Sequence, residues 1–168
     1  MKTKIFITVF ILGLCACTDK NQSLVSQNEK EKIANEVELV LNSYFDGCRN
    51  LDVNKAFKEL FFEASDFIYI GIDGSFMNYN DLYTIANQVF STYKKAEFII
   101  HETKIRVISR DVALASVNFT DAFYSPEAKE TYPNCGSTFV LNKIDDEWKI
   151  IHFHESFQES KFFKTEID

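Results

Sequence analysis

Apolar positions recur at helical spacing in the first half of the chain and at every second residue in the last third. Ser26, with Glu29 three residues on, has the form of a capping box. Ile33, Val37, Val40, Leu41, Tyr44 and Phe45 then line one helical face until Gly47, which predicts a long amphipathic helix ending there. Asp52 reads as the N-cap of a second helix that carries Val53, Ala56, Phe57, Leu60 and Phe61 inward. Residues 67–72 switch to a strand, with Asp73-Gly74 as its turn. Asn78 with Asp81 caps a third helix whose Leu82, Ile85, Ala86, Val89 and Tyr93 share a face. Beyond Glu97 the period is two: strands are predicted over 98–109, 112–124 and 137–144, with a loop containing Pro126 and Pro133 before the third.

The final strand, 147–157, follows a hairpin turn at Asp145-Asp146. It divides into one row of Trp148, Ile150, His152, His154 and Ser156 and another of Lys149, Ile151, Phe153, Glu155 and Phe157. Both rows are largely apolar. One is expected to face a core and the other a second packed surface such as a partner subunit, so a homodimer is predicted. Helices followed by long strands form an α+β order: three N-terminal helices packed on the concave face of a curved antiparallel sheet.

Composition narrows the partners. With 168 residues, 46% of them hydrophobic and 17 of them Phe, the chain encloses one aromatic-rich core. The net charge of −7 comes without a basic block, which excludes nucleic acid as a partner. Lys2 and Lys4 before the apolar run 5–14 make a signal peptide too short to span a bilayer. Leu14-Cys15-Ala16-Cys17 resembles the lipobox of bacterial lipoproteins, which points to acylation at Cys17; ordinary cleavage with free secretion is the alternative. The expected division is a signal peptide at 1–16, a lipidated N-terminus and tether at 17–28, a folded domain at 29–160 and a tail at 161–168. The expected address is the bacterial cell envelope, with a lipid anchor in a membrane facing the periplasm or the cell surface. Within the domain Cys48 and Cys135 either pair or remain buried thiols.

The element order and the strand Trp148-Lys149-Ile150-Ile151-His152-Phe153-His154-Glu155-Ser156 resemble the nuclear transport factor two-like fold, which includes scytalone dehydratase, ketosteroid isomerase and SnoaL-like cyclases. The strand itself is most similar to the last one of the association domain of calcium/calmodulin-dependent kinases. Over residues 30–157 the resemblance implies a cone of helices on a bent sheet, a pocket between them, and dimers through the sheet's outer face. It also implies a departure. Asn118, Phe139 and Glu155 stand where the association domain has pocket arginines, and Leu82 stands near its histidine. Leu82, Asn118, Phe139 and Glu155 are thus the expected ligand-binding residues, in a pocket that rejects carboxylates and admits neutral or apolar molecules. Glu155 toward the pocket assigns Ile151 and Phe153 to the interior and leaves Trp148, Ile150, His152 and His154 outside, unless a bulge reverses the rows near the end of the strand.

Catalytic chemistry is weakly marked. His152 and His154 are two residues apart on one row, but His101 is the only other histidine, so no metal and no cofactor is expected. Glu155, Asp121, Glu102 and Asp66 are candidate bases and Tyr69, Tyr124 and Asn118 candidate donors. No phosphate loop, nucleophile elbow or metal-binding helix motif is present. The leading expectation is a non-catalytic binder of a small neutral or apolar ligand. A SnoaL-like lyase or isomerase with a pocket carboxylate as base, and a scaffold whose pocket is plugged by Phe139, are the alternatives.

Overall fold

The computed structural model describes residues 25–157. The signal peptide, Cys17, most of the tether and the C-terminal tail lie outside the described residues. No described helix is long and apolar enough to cross a membrane.

Helix α1 spans Gln27–Arg49. Ser26 Oγ accepts from the Glu29 backbone N–H at 3.3 Å, but the Glu29 carboxylate accepts from Arg110 Nε at 2.6 Å instead of closing the capping box. The helix runs past Gly47, where its end was expected. Gly47 is there for close approach: a Cβ would sit 2.5 Å from the Ala56 nitrogen. The second expected helix contracts to a π turn over Asn54–Lys58. The sheet takes the residues that would have continued it, since Ile150 N–H donates to Leu60 O at 2.8 Å and Phe62 N–H to Ile150 O at 2.9 Å. Two α-helices and one π turn therefore stand where three helices were expected.

The strands are β1 (Ile68–Ile70), β2 (Phe76–Met77), β3 (Lys95–Val107), β4 (Val112–Tyr124), β5 (Lys129–Ile144) and β6 (Glu147–Ser156); helix α2 (Tyr79–Thr92) lies between β2 and β3. They form one curved, unclosed six-stranded sheet in the order β2-β1-β6-β5-β4-β3. The sheet is mixed rather than antiparallel, because β1 pairs parallel to β6. Asp145 and Asp146 both take positive φ, 49° and 66°, as a two-residue hairpin turn between twisted strands requires. Asn78 and Asp81 cap α2 reciprocally.

Two bulges shape the concave side. On β5, the register with β4 shifts between Phe119 and Asp121, so Pro133 and Asn134 oppose Thr120 alone. A strand can therefore run through a proline that the sequence places in a loop, since the bulge needs no N–H there. On β6, pairing jumps from Val140–His152 to Leu141–Ile150, leaving Ile151 unpaired. Trp148 and Ile150 point inward before this bulge, at 7% and 0% exposure, and Phe153 points inward after it, at 1%. The uninterrupted alternation that put Trp148 and Ile150 outside and Ile151 inside is thus corrected in the first half of the strand.

The core lies between α1 and β4–β6. Phe139 stacks on Phe153 with ring centroids 4.9 Å apart, and Tyr44 meets both edge-on at 5.3 and 5.9 Å. Cys48 and Cys135 are free, buried thiols.

Candidate functional site

Beyond Phe153 the concave side is left open. A cavity of about 440 Å³ lies under α2, bounded by α1, the π turn, the β1–β2 hairpin and the ends of β3–β6. Phe57, Leu82, Ile85, Val89, Phe98 and Phe153 are part of its apolar wall. Among the described residues no Lys, Arg or His lines it.

Three carboxyl groups do: Asp73, exposed at the β1–β2 turn where it accepts from Ser75, and the more enclosed Asp121 and Glu155. Inward positions alternate along β4 through Val117 and Phe119 to Asp121, which is 2% exposed. Phe153 and Glu155 follow each other on one row of β6, which the bulge at Ile151 turns to the same inner side as Trp148 and Ile150. Burial pushes the Asp121 carboxyl up to about 6, against the opposing effect of the Cys135 thiol, which donates to it at 3.6 Å. Glu155 keeps some accessible surface at the cavity, yet protein packed around its carboxyl group pushes it up to about 8, with the charge of Asp121 adding to the effect.

The hydroxyls around them differ in their commitments. Tyr69 stacks on Phe153 at 5.2 Å, and its hydroxyl has no protein hydrogen-bond partner among the described residues. Burial, with the nearby Glu155, holds that phenol far above its ordinary value, so it is a neutral donor. Tyr44 and Cys48 stand one helical turn apart on α1, and burial raises both. Tyr93 and Tyr132 donate to the same Glu130 oxygen at 2.9 and 3.0 Å and tie the end of α2 to β5.

Of the residues expected to bind ligand, Leu82 and Glu155 line the cavity together. Phe139 is fully buried in the core beneath Phe153 and leaves the cavity unplugged. Asn118 is exposed between inward Val117 and Phe119, on the convex side, where its amide donates to Cys135 O at 3.1 Å. Among the candidate bases and donors, Asp121 and Tyr69 join Glu155. Glu102 is exposed beside Asn118, Asp66 is exposed at a separate small groove, and Tyr124 donates to Glu97 at 2.7 Å away from the cavity. His154 lies with Asn118 on the convex side. Tyr44, Tyr93 and Tyr132 escaped the sequence reading because a tyrosine on an apolar face looks like core.

The profile of the SnoaL-like domain matches residues 37–159. No curated protein matches the chain in sequence. Among solved structures, a protein provisionally named a scytalone dehydratase from Novosphingobium aromaticivorans is 10% identical with a TM-score of 0.70, over 79% of this chain and 89% of that one. A provisionally named dehydratase of the nuclear transport factor two-like family from Streptomyces avermitilis is 11% identical with a TM-score of 0.68, over 78% and 99%. A protein from Xanthomonas campestris provisionally named a calcium/calmodulin-dependent kinase association domain is 18% identical with a TM-score of 0.63, over 76% and 89%. At these identities the structural matches carry the fold alone; the profile match establishes that the chain belongs to the SnoaL-like domain family.

Proposed function

We propose that this domain is a lyase or isomerase that moves a proton on a small, neutral, largely apolar carbonyl compound. The observation that carries the reading is the pair Asp121 and Glu155, two carboxyl groups in one apolar cavity with no cation beside them. Groups whose surroundings separate their proton affinities divide into acid and base. At neutral pH Asp121 is ionised and takes the proton from the carbon next to the carbonyl. Glu155 is protonated and, with the Tyr69 hydroxyl, donates to the oxygen as negative charge develops there. Returning the proton to another carbon gives isomerisation; loss of a β-hydroxyl gives a lyase, in keeping with the provisional dehydratase names of two structural relatives. A carboxylate substrate would meet Asp121 without a compensating cation.

The test is deuterium exchange of the α-protons of 2-tetralone in heavy water, followed by NMR. Purified domain should exchange them well above buffer, with a bell-shaped pH profile whose limbs lie near 6 and 8. Asp121→Asn should slow exchange by about 100-fold or more. Exchange no faster than buffer, or an undiminished Asp121→Asn, would leave the cavity as a non-catalytic binding pocket.

The proposal includes the address and the assembly. Cys17 is the lipid attachment site on the strength of its lipobox-like context, and the stretch between it and the Ser26 cap of α1 tethers the domain to an envelope membrane. The domain pairs through the convex sheet face, where Leu114, Val140 and Ile151 remain partly exposed. Cys17→Ser should move the protein out of the membrane fraction, and light scattering of the domain from Asn28 onward should report a dimer. A variant still firmly membrane-bound sinks the first statement, and a monomer at tens of micromolar the second.

A further inference from the structure

Among the described residues, one buried side-chain oxygen lacks a hydrogen-bond partner: Ser137 Oγ. Buried hydroxyls are nearly always partnered, and an orphan costs stability that alanine in its place would restore. Ser137 is 4% exposed and lies on the inner row of β5 between Cys135 and Phe139. Across the sheet it is directly opposite Val117 on β4 and Glu155 on β6. Directly opposed residues hold their Cβ atoms about 5 Å apart, so a rotation of each side chain brings a serine hydroxyl to a glutamate carboxyl group.

We propose that Ser137 is a positioning residue for Glu155, its hydroxyl turning to donate to the Glu155 carboxylate once that group has given up its proton. The inference rests on the reading of Glu155 as the proton donor. The other ionisable groups around Glu155 are Tyr44 and Cys48 from α1, Tyr69 from β1, Asp121 from β4 and Cys135 from β5. None is a cation, and most are committed elsewhere. The Cys135 thiol is taken up by Asp121 or by Tyr132 O at 3.1 Å, Tyr69 is assigned to the substrate oxygen, and Tyr44 and Cys48 approach from α1 rather than from the strand paired with β6. Ser137 is the unpartnered donor directly opposite Glu155 on the neighbouring strand. When the Glu155 O–H proton passes to the substrate oxygen, the carboxylate acquires a negative charge in an apolar site. The Ser137 proton stays on Oγ and supplies a charge-assisted hydrogen bond. When the substrate oxygen returns its proton to Glu155, that bond lapses, and the hydroxyl is an orphan again as in the resting structure.

The experiment is a 13C NMR titration of the Glu155 side-chain carboxyl without substrate, assigned with Glu155→Gln, in wild type, Ser137→Ala and Ser137→Thr. Ser137→Ala should move the Glu155 midpoint up by about one pH unit, because the donor serves only the ionised form. Ser137→Thr, which keeps the hydroxyl, should restore it. Thermal stability of Ser137→Ala should match or exceed wild type at pH 5, where no bond exists, and fall below it at pH 9. A midpoint unchanged or lowered in Ser137→Ala, or a stability loss equal at both pH values, would overturn the assignment. The titration reads the hydrogen bond whether or not 2-tetralone is exchanged. A shifted midpoint in a protein without exchange activity would remove the catalytic reading and leave Ser137 paired with an ionising Glu155.

Discussion

The concave face of the sheet has two ends of opposite character. At the β5–β6 hairpin end, Phe139, Leu141, Ile150 and Phe153 are all at or below 1% exposure under α1, and the polar groups at its edge are matched. Trp148 Nε1 donates to Glu36 at 2.9 Å, Lys143 pairs with Glu36 at 3.5 Å, and Arg110 holds Glu29. At the other end α2 stands off the sheet, tethered by Tyr83 to Asn54 at 2.9 Å and by Tyr93 to Glu130, and roofs a cavity where the enclosed carboxyl groups of Asp121 and Glu155 have no cation beside them. The packed end supplies the stability that lets the open end hold groups unfavourable to folding. Such a division is expected where a site is carried by a rigid scaffold.

The largest expected effect is in the packed end. Phe139→Ala should cost about 3–5 kcal/mol in urea denaturation, because its ring has neighbours on every side and the hole cannot collapse. Leu82→Ala removes a side chain that already borders empty space and should cost about 2 kcal/mol, the low end for such a change. Equal losses at the two positions would show that the cavity is filled or collapsed in solution.

The two ends should also respond to pH with opposite sign. Glu36 is held below its ordinary value, chiefly by the Trp148 hydrogen bond and then by Lys143, so its contribution is present above the unfolded pKa and is lost as pH falls through the folded one. Glu155 is raised to about 8 by burial and by Asp121. Its folded form holds a proton that the unfolded chain releases near 4.5, so stability falls as pH rises from there through about 8. Melting temperature against pH should therefore decline on the alkaline side in wild type. Glu155→Gln should flatten that limb above about pH 6, below which the raised Asp121 carboxyl also contributes, and Glu36→Gln only the acid one. An alkaline limb left intact in Glu155→Gln would mean that the carboxyl group is better solvated than its place in the cavity implies.

The smallest effect concerns the strap between the ends of α2 and β5. Tyr93→Phe removes one of two phenol donors to Glu130 and should cost about 1 kcal/mol or less, read by the same denaturation. A larger loss would mean that α2 is held mainly from this end rather than by its buried Leu82 and Ala86.

Much of this architecture is written in local pattern. The cap at Ser26, the reciprocal cap at Asn78 and Asp81, the Asp145-Asp146 turn and the strand 112–124 follow from residue chemistry and period, and the structure has them where the pattern puts them. Local signals misled where the sheet competed for the same residues. Leu60 to Phe62 have a helical stripe, yet bonding to Ile150 stabilises them as an edge of the sheet. Pro133 signals a loop, yet a bulge accommodates it within β5.

The site divided along the same line. Glu155 and Leu82 were legible through resemblance to a known strand and a helical stripe, and Asp121 and Tyr69 only as members of a longer set of candidates. Which of these meet was decided by the bulge at Ile151, which sets which β6 residues face inward, and by the stand-off of α2, which leaves Phe139 in the core and a cavity beyond Phe153. The sequence alone determines the helices, the strands, their turns and an aromatic interior, because those depend on neighbours a few residues away. Bulges and the gap beneath α2 depend on the register and volume of segments distant along the chain, so only the tertiary structure brings Asp121 and Glu155 into one apolar space.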